Sequence, residues 1–302
     1  MAALTISEQE EKKLKGRGFL NNKHTDNFSA RIVTKNGRVS AEQLKCIANA
    51  AEKYGSGNVL LTTRQTFEVP GIPVENLDAF AEAIEACGLI VGGTGPKVRP
   101  IVSCKGTTCR YGLHDTFALA DELQQKYLYG YRDTTLPHKF KIAVGGCPNN
   151  CVKPELNDIG IIGQCIPNFD EASCHGCKKC AVAAECPVHA ATVSDGKCHI
   201  DQSVCIHCGR CVGKCYFNLI PDGAYGYKIY IGGRWGKNTR VGQPLSKVFS
   251  SKDEMMDTVD RVFQFYRSNA QPGERFASTV DRLGFENVEK AVLNLDTSAK
   301  TE

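Results

Sequence analysis

No apolar run in this sequence approaches the length needed to cross a membrane, and Met1 to Gly16 are polar and charged. Neither a membrane span nor a secretory leader is therefore expected. Net charge is also scarce: 37 Lys and Arg nearly cancel 33 Asp and Glu, leaving +4, a weak basis for a nucleic-acid partner. A dinucleotide fingerprint is missing, because Gly92-Gly93-Thr94-Gly95 does not lie between a strand and a helix of a βαβ unit. Cysteine, by contrast, is abundant, at 16 of 302 residues. In a short secreted chain that would read as a disulfide framework, but this chain is long enough to bury a sizeable core. Its cysteines are bunched at short, regular intervals, which suits metal ligation in a reducing cytoplasm and an anaerobic setting.

The length allows two domains and a small insert. Residues 1 to about 25 show no period and read as a polar lead-in. Strand-like alternation runs from Phe28 to Val39 around an Asn36-Gly37 turn. Ser40 and Gln43 form a capping box for a helix with Leu44, Ile47, Ala48 and Ala51 on one face, ending near Gly55. Asn58 to Thr63 is expected as a buried strand and Thr66 to Val69 as a short one. Pro70 to Pro73 then turn into a helix that aligns Leu77, Phe80, Ile84 and Cys87 and stops at Gly88. A strand at Val98 to Val102 completes the split βαβ order.

A helix over Gly112 to Tyr129 follows, then strands at Lys139 to Val144 and Ile159 to Gly163. Residues 166–220 are cysteine-dense and poor in large apolar residues, and a strand (Lys228 to Ile231) and a helix (Asp253 to Tyr266) follow them. The expected class is α+β. A ferredoxin-like (split βαβ) domain covers 1–95, a second α/β domain covers 96–165 and 221–302, and an insert occupies 166–220.

The organising stretch is Lys139-Phe-Lys141-Ile-Ala-Val-Gly145-Gly146-Cys147-Pro-Asn149-Asn-Cys151. Lys139 and Lys141 alternate with apolar residues, as one polar face of a strand requires. The glycines let the backbone approach a bulky group, and thiolates are the natural ligands of iron–sulfur iron. With the upstream pair Cys104 and Cys109, Cys147 and Cys151 make the four ligands of a cubane; a structural zinc is the alternative. Two lysines beside such a cluster suggest an anion reduced next to iron.

The insert carries Cys174, Cys177, Cys180 with Cys186, then Cys205, Cys208, Cys211 with Cys215. This is the bacterial two-cluster ferredoxin pattern, in which the fourth cysteine of each run serves the other cluster. It implies one cubane on Cys174, Cys177, Cys180 and Cys215 and another on Cys205, Cys208, Cys211 and Cys186. Two departures stand out: five residues, not three, precede Cys186, and Tyr216 replaces the usual second proline. Paired zinc sites are the alternative here too.

Leu136-Pro-His138-Lys139-Phe-Lys141, Gly146-Cys147-Pro-Asn149-Asn-Cys151 and Thr62-Thr63-Arg64-Gln65-Thr66-Phe67 carry a resemblance over nearly the whole chain. The chain resembles the sulfite/nitrite reductase family, which couples a sirohaem to a 4Fe–4S cluster through a shared cysteine sulfur. It is most similar to the small, ferredoxin-containing anaerobic (dissimilatory-type) sulfite reductases. The resemblance implies sirohaem and three [4Fe–4S] clusters, with Cys151 as the shared thiolate. Cys104 and Cys109 enclose four residues where the family usually has five.

It further implies that Arg31, Arg99, Lys139 and Lys141 bind the oxyanion and supply protons. Thr62, Thr63, Arg64, Gln65, Asn149, Arg234, Lys237 and Arg240 are expected to pair with sirohaem carboxylates. The implied activity is six-electron reduction of sulfite to sulfide. Ammonia-forming nitrite reduction and a non-catalytic electron-transfer subunit are the alternatives. Without a dinucleotide fingerprint, the donor would be a ferredoxin or a flavin- and iron–sulfur-bearing subunit, and an oligomer is expected. Cys46, Cys87, Cys165 and Cys198 read as structural thiols, and His175, His189, His199 and His207 as packing or surface residues. His138 is a lesser candidate for proton delivery.

Overall fold

The computed structural model describes residues 6–295. Part of the expected lead-in is ordered: α1 (Glu8–Arg17) starts at a Ser7–Glu10 capping box. It buries no residue, so the sequence carries no apolar period to announce it. Residues 1–5 of the lead-in lie outside the described residues.

The first sheet is built from β1 (Phe19–Asn21), β2 (Asn27–Val33), β3 (Leu60–Leu61), β4 (Phe67–Pro73) and β5 (Ile90–Val91). Its order is β1-β2-β4-β3, with β5 also on β2, and every pairing is antiparallel. The helices α2 (Ala41–Tyr54) and α3 (Leu77–Glu85) pack on it through Ile47, Ala51, Leu77, Phe80 and Ile84. The Ser40–Gln43 capping box is present.

Several local expectations are corrected. Leu44 and Ala48 face solvent, and Ala50 is buried in their place. The strand expected at Asn58 to Thr63 shrinks to an exposed edge pair, with Leu61 at 81% exposure. Pro70 to Pro73 is no turn, because β4 runs through it. A register shift opposite Phe28 and Ala30 relieves a segment in which Pro70 has no N–H to give. The strand that closes this sheet is β5, whereas the expected Val98–Val102 stretch feeds the second sheet. Cys46 and Cys87 are joined as a disulfide between α2 and the end of α3, not left as free thiols.

The second sheet has the order β12-β11-β8-β7-β6. Its strands are β6 (Val102–Ser103), β7 (Ile142–Gly145), β8 (Ile159–Pro167), β11 (Gly223–Ile231) and β12 (Gln243–Phe249). β6, β7 and β8 run parallel, and β11 and β12 are antiparallel additions. The parallel strands are apolar on both faces, as burial between layers requires. One covering helix, α4 (Thr116–Leu123), starts later than Gly112 because Asp115 accepts the N–H groups of Phe117 and Ala118; it continues to Tyr129 as a π-turn.

Between β8 and β11 the chain leaves the sheet. It forms α5 (Ala181–Glu185) and the hairpin of β9 (Ala191–Ser194) and β10 (Lys197–Ile200) over a small core of Val182, Ala191, Cys198, Ile200 and Ile220. After β12 come α6 (Lys252–Asn269), α7 (Phe276–Leu283) and α8 (Phe285–Leu293). Phe140, Phe263, Tyr266 and Phe276 interlock in the core beneath them.

Candidate active site

Parallel pairing of β6 and β7 sets Ser103 opposite Val144, so Cys104 and the Gly145-Gly146-Cys147 corner leave the sheet at the same carboxyl end. Gly146 donates its N–H to Cys104 Sγ at 3.1 Å. A Cβ on Gly146 would stand 2.9 Å from Gly106 Cα, so the glycine is needed for close backbone approach. Burial pushes the Cys147 thiol up, and the neighbouring Cys104, Cys151 and Cys109 push it further. Cys104, Cys109 and Cys151 therefore all lie near Cys147.

Next to Cys151 lies an open cavity of about 460 Å³ whose walls include Thr63, Arg64, Gln65, Lys141, Lys153 and Trp235. Arg64 is partly buried, with donors on Pro100 O at 2.6 Å and Asn157 Oδ1 at 2.9 Å. Burial first, then Arg99, pushes its guanidinium down to about 9, while Asp158 acts the other way. Arg99 is pushed to about 10 by burial, Arg31 and Arg275, and its buried Nε has no partner. Guanidinium remains charged at neutral pH, so the unfavourable charge shows up as a demand for anions.

Burial, helped by Arg64 and Arg275, pushes Lys141 down to about 8. Lys139 is lowered by burial and then by Arg99 and Arg275. Among the described residues, these cations are met by Glu68, which pairs with Arg31 at 2.7 Å, and by the fully buried Asp158, which pairs with Arg275 at 3.1 Å. Asp158 Oδ2 also accepts the Lys141 N–H at 2.8 Å. The pocket is therefore positive and partly dry.

The expected site residues divide into those that face the cavity and those already engaged elsewhere. Thr63, Arg64, Gln65, Lys141 and Cys151 line the cavity. Gln65 nevertheless spends both ends of its amide on Ser103, at 2.7 and 3.0 Å, and fastens the β3–β4 hairpin to the second sheet. The Thr62 hydroxyl closes the same hairpin on Thr66. Arg240 is tied to Ala277 O at 2.6 Å and to Asp281 at 2.9 Å, and its backbone pairs with Arg234. Asn149 and Lys237 are exposed and do not line the cavity. His138 accepts the Lys139 N–H, and burial lowers its pKa.

Sequence reasoning misses Asp158, Arg275, Lys153 and Trp235. An acid heading the otherwise apolar strand Ile159-Gly-Ile-Ile is a visible signal for Asp158. Arg275 stands in no motif.

Two further cavities lie in the excursion between β8 and β11. Cys174, Cys177, Cys180, Cys198 and Cys215 line one, and Cys186, Cys205, Cys208 and Cys211 line the other. Cys215 thus stands with the first run and Cys186 with the second. Cys198, read as a structural thiol, faces the first cavity and donates its N–H to Cys174 Sγ at 3.3 Å. Among the described residues, no three Cys, His, Asp or Glu side chains gather tightly enough for a single ion.

The family model described as the nitrite and sulphite reductase 4Fe-4S domain matches residues 94–300, and the nitrite/sulfite reductase ferredoxin-like half domain matches 21–87. The chain belongs to the nitrite and sulphite reductase family. A coenzyme F420-dependent sulfite reductase of Methanocaldococcus jannaschii is 31% identical over 82% of this chain and 39% of its own length. One subunit of the anaerobic sulfite reductase of Salmonella typhimurium is 32% identical over 76% of this chain and 71% of its own. The chain thus spans well under half of the first of these relatives. The crystal structure of dissimilatory sulfite reductase I has the same fold, with a TM-score of 0.69 at 21% identity over 88% of this chain and 69% of that one. No helix among the described residues is long and apolar enough to cross a membrane.

Proposed function

We propose that this chain reduces sulfite to sulfide by six electrons on a sirohaem joined to a 4Fe–4S cluster. The observation that carries the reading is the meeting of Arg64 and Lys141 with Cys151 of the four-cysteine set at one cavity, while Arg99, Lys139 and Arg275 stand close enough to disfavour the charge on Arg64 or Lys141. A carrier of electrons alone has no need of such a pocket. The donor set fits the groups: Cys104, Cys109, Cys147 and Cys151 would hold the cluster, with Cys151 shared. Thr63, Arg64 and Lys153 at the cavity wall, with Arg234 nearby, would meet sirohaem carboxylates. Thr62, Gln65 and Arg240 fit that task less well, since their donors are already engaged.

Sirohaem, when bound, supplies a reducing iron for the oxyanion. The chain's own residues supply the rest. Arg31, Arg99, Lys139 and Lys141 hold the anion, and Arg31 does so while paired with Glu68. Each oxygen lost as water takes up two protons. An ammonium set near neutral pH by burial is a suitable source, and Lys141 is the group so placed. Asp158 fixes the Lys141 backbone.

Residues 166–220 fit an inserted ferredoxin domain with one cubane on Cys174, Cys177, Cys180 and Cys215 and the other on Cys186, Cys205, Cys208 and Cys211. They lie between the flanking parts of the second domain, 96–165 and 221–302, with 1–95 as the ferredoxin-like half. Electrons would come from a ferredoxin or a flavin- and iron–sulfur-bearing subunit in the cytoplasm, within an oligomer. The test is the absorbance spectrum of anaerobically purified protein titrated with sulfite and with nitrite. Sirohaem bands that shift with sulfite support the reading; bands that answer only nitrite favour ammonia formation. A spectrum without sirohaem bands contradicts both.

A further inference from the structure

The two thiol cages of the excursion are not equivalent in their surroundings. The cage of Cys186, Cys205, Cys208 and Cys211 is fastened to the main body: the Cys165 backbone of β8 pairs with that of Cys208, and Cys165 donates its N–H to His207 O at 2.7 Å. A Cβ on Gly209 would stand 2.9 Å from Cys165 Sγ, so the loop lies against the strand.

The other cage, of Cys174, Cys177, Cys180 and Cys215, faces outward. Tyr216, beside Cys215, is 90% exposed, and Phe217 is 46% exposed. Their rings meet edge to face at 5.3 Å, and Phe217 lies 4.5 Å from the ring of His175. An aromatic plate this exposed is unusual unless something covers it. Lys178, Lys179 and Lys214 sit within one or two residues of these cage cysteines and are exposed. Among the described residues, none has a carboxylate partner in an ion pair, whereas Glu171 is bound to His199 and Glu185 to Arg210. Against these lysines stand the exposed Asp170 and Asp195, next to Phe169 and Gly196 of the same cage, so the surroundings keep a small excess of positive charge beside an apolar patch, the mix found at transient protein interfaces.

We propose that Tyr216 and Phe217, with Lys178, Lys179 and Lys214 flanking cysteines of the same cage, form the docking surface of a small acidic electron-carrier protein, which makes the Cys174 cage the point of electron entry and the Cys186 cage the inner relay. The proposal rests on the reading of both cages as cubanes. The carrier delivers one electron at a time to the oxidised outer cluster and leaves oxidised itself; no atom or proton needs to be transferred.

The test follows reduction of the clusters, so it does not depend on sulfite chemistry. Reconstituted full-length protein is mixed anaerobically with a reduced, acidic 2Fe–2S ferredoxin, whose recovering absorbance differs in shape from the cubane band, and bleaching of the protein's own clusters is followed by stopped flow. Reduced methyl viologen serves as the small control donor. Joint substitution of Lys178→Glu, Lys179→Glu and Lys214→Glu is expected to slow ferredoxin-driven bleaching at least tenfold at low salt, with the deficit shrinking as salt rises. Tyr216→Ala is expected to slow it several-fold, and viologen-driven bleaching is expected to stay unchanged in both variants. Undiminished ferredoxin-driven rates would overturn the proposal. So would an equal fall with viologen, which would tie these residues to the cluster and not to docking. Failure of the function reading would look different: bleaching would proceed normally while no sulfide formed.

Discussion

The Asp158 carboxylate, fully buried, accepts the backbone N–H of Lys141 at 2.8 Å while its two oxygens stand 3.1 Å from Arg275 Nη2. One acid thus ties the arginine at the head of α7 to the strand entry that aims a lysine at the cavity. Burial raises the Asp158 pKa, and Arg275, with the Lys141 N–H, works to keep the carboxylate ionised.

Breaking that pair should be costly. Asp158→Ala leaves Arg275, at 5% exposure, charged and without its partner, and loss of a buried ion-pair member costs about 3–5 kcal/mol. Chemical denaturation of the apoprotein should show a matching fall in midpoint. A variant with unchanged stability would mean that water reaches Arg275.

Lys141 should report the state of the pocket. Its pKa lies near 8, lowered by burial first and then by Arg64 and Arg275. In haem-free protein the ammonium should be lost as pH rises through about 8, where an ordinary lysine stays charged to about 10.4. Between those values the unfolded chain holds the proton that the native chain has released, so this group's contribution to stability grows as pH rises. Binding an anion favours the charged form and should move the titration upward. NMR of isotopically labelled lysine side chains, with and without sulfite, checks both the position and the sign.

Lys141→Ala should keep haem and cluster spectra while turnover falls about 100-fold or more, as expected for a lost proton donor. Lys141→Arg keeps the charge but should remain slow, because guanidinium gives up protons poorly. Loss of sirohaem from the alanine variant would make Lys141 a carboxylate partner, and full turnover would make it a bystander.

Gly146→Ala puts a Cβ 2.9 Å from Gly106 Cα, a contact that backbone alone must relieve. The cluster proposed on Cys104, Cys109, Cys147 and Cys151 should be lost from the electron paramagnetic resonance spectrum while the two proposed for residues 166–220 remain. A full set of signals would show that the corner can open.

Much of this architecture is legible in the sequence because its signals are local. The Ser40–Gln43 box and the apolar β7 and β8 each state their geometry within a few residues. The misses are cases in which partners distant in sequence decide. Gln65 resembles a free polar side chain until Ser103 is brought to it, and Arg240 until α7 folds across it. Leu60 and Leu61 read as a buried strand by composition, yet they pair on one side only, at the sheet edge. Arg275 belongs to no motif, and only the crossing of its segment beside β8 sets it against Asp158.

The central claim is most directly tested by electron stoichiometry. Protein reconstituted with sirohaem and iron–sulfur clusters is supplied anaerobically with reduced methyl viologen and limiting sulfite, and both oxidised viologen and sulfide are measured. The account predicts six viologen radicals consumed for each sulfide released. Viologen oxidation without sulfide, or reduction of nitrite alone, would contradict it.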